Sequence, residues 1–174
     1  MYGEINRNNY PPEVSFRTFL YFAQEGLKDP VLKNYLILLE LIQKALSVYF
    51  RYVQTAQIQD DLIPLVSSIL AKTSDLKSKI REATINFCLY LSHQSPIGPS
   101  VMVEQVLKEL KPIVCIDKRE KGAGQGFGNS NMIASCLQLL TQYQQQTKLV
   151  ESADSVLFKD YMLCGNHALR HTNP

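Results

Sequence analysis

The chain has no CxxC pair, no apolar stretch long enough to cross a membrane and almost no net charge. Each absence narrows what it can be. Its four cysteines, at positions 88, 115, 136 and 164, lie far apart, which excludes the paired spacings of zinc ribbons and thioredoxin-like redox sites. Cys88, Cys136 and Cys164 fall within helical apolar patterns, as reduced core thiols of an intracellular protein do. The N-terminal "MYGEINRNNYPPE" lacks signal-peptide character, so we expect a soluble protein of the cytoplasm with no membrane partner. A formal net charge of +2 over 174 residues argues against a strongly basic nucleic-acid binder. Strand signals are missing as well: no period-two run is bounded by turns, and no Asn-Gly hairpin occurs.

What the chain does have is helical spacing from Pro12 onward. Phe16, Phe19, Leu20, Ala23 and Leu27 form one stripe, and "LKDP" stops it. Asp29 is placed to cap the next helix, with Pro30 in its first turn. Leu32, Tyr35, Leu36, Leu39, Ile42, Leu46 and Tyr49 then repeat the stripe. A second pair follows: a short helix starting at "QDDLIP" with Leu62, Leu65, Val66 and Ile69, then "IREATINFCLYLSH" after Asp75, itself placed as an N-cap. Pro96, Gly98 and Pro99 break the chain before Val103, Val106, Leu107 and Leu110, a helix starting from Ser100. Asn131 is expected to cap "MIASCLQLLTQYQQQ", and a last helix from about Asp154 carries Leu157, Tyr161, Cys164, Ala168 and Leu169.

The order is helix, turn, helix, break, repeated. Asp29 and Asp75 occupy matching places 46 residues apart, within the period of HEAT and armadillo units. One pair exposes too much apolar surface to stand alone, so the pairs must stack. The expected fold is all-α, a HEAT-repeat α-solenoid of about three and a half helical pairs, with a compact helical bundle as the other possibility. Residues 1–11 form an N-terminal extension and 12–174 the helical array, which we expect to belong to a longer protein or to be completed by a neighbour.

Between the third pair's helices lies "DKREKGAGQGFGNSN", with glycines at 122, 124, 126 and 128. A P-loop needs Lys-Ser/Thr after its last glycine and a buried strand before its first. Here Asn129 and Ser130 follow Gly128, and the basic residues lie upstream. His93, His167 and His171 have no acid or cysteine at ligand spacing, and no serine sits in a G-x-S-x-G setting. No catalytic, metal or cofactor constellation emerges, so the chain is not expected to be an enzyme. The glycine stretch reads instead as an enlarged contact loop.

The stretch "LIPLVSSILAKTSDLKSKIREATINFCLYL" resembles a HEAT repeat in its D-x-K-x-x-(V/I)-R-E-x-A pattern. More narrowly, it is similar to the TOG domain, the tubulin-binding array of HEAT pairs. "LKDPVLKNYLILLELI", "NMIASCLQLLTQYQQQ" and "HALRHTNP" are similar to other parts of that family's repeats. From Asp61 onward the order is most similar to the TOG domains of ciliary-tip centrosomal proteins. The family usually carries an early Trp in a first-repeat loop, and this chain has none.

The resemblance implies that the turns inside the pairs face tubulin, with action at microtubules in the cytoskeleton of cilia or centrosomes; other ciliary or centrosomal proteins are further expected partners. Those turns hold Lys28 and Lys33, then Lys72, Lys77 and Lys79, then Lys118, Arg119, Lys121 and Phe127, then Arg170 and His171. Stacked regularly, they would line one edge with positive charge. Asp29, Asp75 and Arg81 are expected to be structural, Arg81 by pairing with an aspartate to hold the stack. The other reading is a HEAT scaffold for a partner other than tubulin.

Overall fold

The chain is described by a computed structural model covering residues 12–52, 55–94, 96–114, 127–146 and 156–172. Every element among them is helical: α1 (Pro12–Gly26), α2 (Leu32–Tyr49), α3 (Thr55–Ala71), a 3-10 turn (Lys72–Ser74), α4 (Ser78–Ser92), α5 (Gly98–Val114), α6 (Phe127–Gln146) and α7 (Val156–Thr172). The expected all-α class is observed, and the helices are arranged as an α-solenoid.

Two layers follow from which helices touch. Along one layer α1 packs on α3, α3 on α5 and α5 on α7; along the other α2 packs on α4 and α4 on α6. Within pairs, α1 meets α2, α3 meets α4 and α5 meets α6. Each helix turns its stripe into the space between layers. Phe16, Leu20 and Ala23 of α1 are buried there with Leu27 just past its end, as are Tyr35, Leu39, Ile42 and Leu46 of α2. Their i, i+4, i+7, i+11 spacing is what a helix packed on one side requires. The stripes join into one continuous core running from Phe16 to Ala168.

Cross-repeat polar contacts tie neighbouring pairs. Arg17 of α1 forks onto both oxygens of Asp61 in α3 at 3.1 and 3.0 Å, and Lys111 of α5 meets Asp160 of α7 at 2.9 Å. In the other layer the Tyr90 hydroxyl reaches the Gln43 carbonyl at 3.5 Å. Gln59 Nε2 donates to the Pro96 carbonyl at 2.6 Å, fastening α3 to the turn before α5.

Several boundaries differ from expectation. α3 begins at Thr55, ahead of "QDDLIP", because Ile58 continues the buried stripe of Leu62, Leu65 and Ile69. Pro64 therefore sits inside the helix, on its exposed side, where it withholds one N–H from the ladder. α5 starts at Gly98 rather than Ser100; Gly98 has φ +71°, a left-handed conformation that a side chain would strain. α6 starts at Phe127, so Asn131 lies inside the helix and does not cap it. α7 starts at Val156, two residues after the expected Asp154. Gly26 allows close approach of α1 to α2: a Cβ there would meet Leu38 Cδ2 at 2.9 Å.

Candidate functional site

The turn inside the first pair spans 27–31 and the turn inside the second is at 75–77. Both are built the same way. Asp29 Oδ1 accepts the Val31 N–H at 2.8 Å, and Asp75 Oδ1 accepts the Lys77 N–H at 2.8 Å. These are Asx turns, in which a short acidic side chain replaces the backbone acceptor. Asp29 and Asp75 are thus not the N-caps we expected. The N-cap positions are Val31 and Lys77, neither with a side-chain cap, so each aspartate acts one step earlier, shaping the turn.

Asn34 Nδ2 also donates to Asp29 Oδ2 at 2.8 Å. That bond and the Val31 N–H, helped by the charge of Lys72, hold the Asp29 carboxyl below its ordinary range. Arg81 donates to the carbonyls of Asp75 at 2.7 Å and Leu76 at 3.0 Å. It therefore ties down its own turn through backbone oxygens rather than pairing with an aspartate carboxylate. The Arg–Asp tie between repeats is Arg17–Asp61 instead.

The two turns lie side by side. Lys77 Nζ crosses to the Pro30 carbonyl of the preceding turn at 2.9 Å. Lys72 stands over the Tyr35 ring, 5.9 Å from its centroid, within cation–π reach. Lys28 pairs with Glu25 at 2.6 Å, one turn back on α1. Lys33 and Lys79 are exposed and carry no hydrogen bond or ion pair within the described residues. Five expected contact lysines thus share one edge, and the structure separates the engaged three from the two with no such bond. Lys118, Arg119 and Lys121 lie outside the described residues, as do the side chains of Phe127, Arg170 and His171.

Two apolar residues on this edge escaped the sequence reading. Leu76, at the tip of the second turn, is 80% exposed, and Val31 in the first turn is 50% exposed. A helical stripe search passes over them, since neither belongs to a periodic face. At Leu76 the available signal was an aliphatic residue set between Ser74, Asp75 and Lys77.

Behind the edge, an open groove of about 440 Å³ lies between the N-terminal halves of α4 and α6. Asn86, Asn131 and Gln138 present carboxamides to it, with Glu82 beside them and Ile85 below. None of these polar side chains has a hydrogen bond within the described residues.

No helix among the described residues is long and apolar enough to cross a membrane. No protein-family model matches the chain, and no curated protein or solved structure matches it.

Proposed function

We propose that the chain is a TOG-like module that binds tubulin or microtubule ends through the edge formed by its intra-pair turns. The observation that carries this reading is the Lys77–Pro30 contact, which puts consecutive turns next to one another and lines up their basic residues. Tubulin presents an acidic surface. Lys33 and Lys79 would steer it and set the salt dependence of association. Leu76 and Val31 supply apolar contacts between those charges, and a buried apolar anchor with a charged rim is how protein interfaces concentrate their affinity. The likeness of the stretch after Asp61 to ciliary-tip TOG domains supports action at cilia or centrosomes.

Size-exclusion of the purified chain with unpolymerised tubulin at low salt tests the reading. The expected result is co-elution that fades as salt rises and is weakened by Leu76→Ala without loss of helical content. Separate elution at low salt would count against it.

A second reading, a scaffold for a partner other than tubulin, rests on the α4–α6 groove. A carboxamide donates and accepts at once, as a peptide group does, so Asn86, Asn131 and Gln138 suit an extended polypeptide. In that case charge reversal at Lys79 leaves partner binding intact, whereas Asn86→Ala with Gln138→Ala removes it.

A further inference from the structure

The side of α2 turned away from the core is more apolar than a solvated helix face needs to be. α2 buries Tyr35, Leu39, Ile42 and Leu46, and its main neighbours are α1 and α4. Ile37, Leu41 and Val48 nevertheless stay about half exposed, at 54%, 52% and 53%. Their i, i+4, i+11 spacing puts them on one stripe. On the adjoining α1, Phe22 is 67% exposed. An exposed apolar stripe of this kind along one helix marks an interaction face.

The charges beside that stripe indicate its occupant. Glu40 and Lys44 are one helical turn apart and exposed, yet neither side chain forms an ion pair or hydrogen bond within the described residues. A face with one acid and one base at this spacing is complementary to itself when turned end for end. We propose that α2 is a self-association surface on which a second copy of this chain docks its own α2 antiparallel, about a two-fold axis. Glu40 then meets the partner's Lys44, and Lys44 meets the partner's Glu40. The same rotation brings Ile37 against the partner's Val48 and Val48 against the partner's Ile37. The charge pairing puts the axis level with Ile42 and the apolar pairing puts it about half a residue further on, so one docking accommodates both. A two-fold contact of this kind closes on itself and yields a dimer rather than a filament. Its pairings use residues 37–48 of α2 and do not depend on what the turn edge binds.

Sedimentation equilibrium of the full chain, over a concentration series into the sub-millimolar range, tests the proposal. The wild type is expected to dimerise. Leu41→Lys should abolish the dimer, and Glu40→Lys should weaken it at least about tenfold, because it sets like charges together twice across the axis. The double exchange Glu40→Lys with Lys44→Glu should restore wild-type affinity. Circular dichroism of each variant should match the wild type, as all three positions are exposed. A wild type that stays monomeric throughout overturns the proposal, including one that instead takes up an added amphipathic helical peptide. So does a dimer indifferent to Leu41→Lys, or one weakened by Glu40→Lys but not rescued by the double exchange.

Discussion

The Tyr35 hydroxyl lies 2.6 Å from Thr84 Oγ1, joining the second helix of one pair to that of the next inside the core. Thr84 Oγ1 donates to the Ile80 carbonyl at 2.7 Å, which leaves its lone pairs for the tyrosine, so Tyr35 is the donor. Thr84→Val removes the acceptor and strands a buried hydroxyl, at a cost of about 1–3 kcal/mol. Tyr35→Phe removes the donor and leaves Thr84 bonded to Ile80, so it should cost less. Denaturant unfolding of both single variants and the double should show non-additivity, the double losing less than the sum. Simple additivity would mean that the bond does not couple the repeats.

Burial also pushes the Tyr35 phenol up to about 12. A raised folded value means the native state holds its proton more tightly than the unfolded chain. The resulting stability is complete below the ordinary phenol value of 10.0 and is lost as pH rises toward about 12. Unfolding free energies measured through that window should fall less steeply in Tyr35→Phe than in the wild type.

Asp29 has the opposite sign. Its folded carboxyl is held below 3.8, first by Asn34 and then by the Val31 N–H, so its contribution is present above that pH and is lost as pH falls through the folded value. Asn34→Ala should raise the Asp29 titration midpoint, read by carboxyl NMR. An unchanged midpoint would show that the Asn34 bond does not act on this group.

Cys88, Cys136 and Cys164 are buried and carry thiols rather than disulfides. Burial pushes Cys88 well above its ordinary value and Cys136 to about 12. The thiolate is the reactive form. In a Cys115→Ser background, a thiol reagent at neutral pH should therefore label the native protein only as fast as it opens, and promptly once denaturant is added. Rapid native labelling would contradict the buried placement.

Gln105 Oε1 is buried without a hydrogen-bond partner among the described residues. Replacing an unsatisfied polar group by an apolar one of similar shape is neutral or stabilising. Gln105→Met should leave the thermal midpoint unchanged or raise it; a large drop would mean that Gln105 is held by a contact the unbonded oxygen does not reveal.

The layers were legible in the sequence because a helix packed on one side must repeat its apolar residues every three to four positions. The stripes of Phe16–Leu27 and Tyr35–Leu46 could be read directly. Helix starts were harder, since Asp29 and Asp75 look like N-caps but bind an N–H two residues on, ahead of the first helical turn. Ile58 extends α3 back ahead of the expected start at "QDDLIP", and Phe127 starts α6 ahead of the expected cap at Asn131. The basic residues could be assigned to turns. Which of them were already engaged depended on contacts such as Lys77 to Pro30 and Lys72 to Tyr35, between residues far apart in the chain. Leu76 and Val31 lie outside any periodic pattern, so exposure alone identified them.

The central claim, that the turn edge binds tubulin, is tested most directly by sedimentation velocity with unpolymerised tubulin over a salt series, comparing the wild type with Lys33→Glu/Lys79→Glu. Both lysines are exposed, so the exchange should leave the fold intact. The account predicts a complex with the wild type that weakens as salt rises, and binding about tenfold weaker with the double variant. Equal binding by the two proteins, or none by either at low salt, would contradict it.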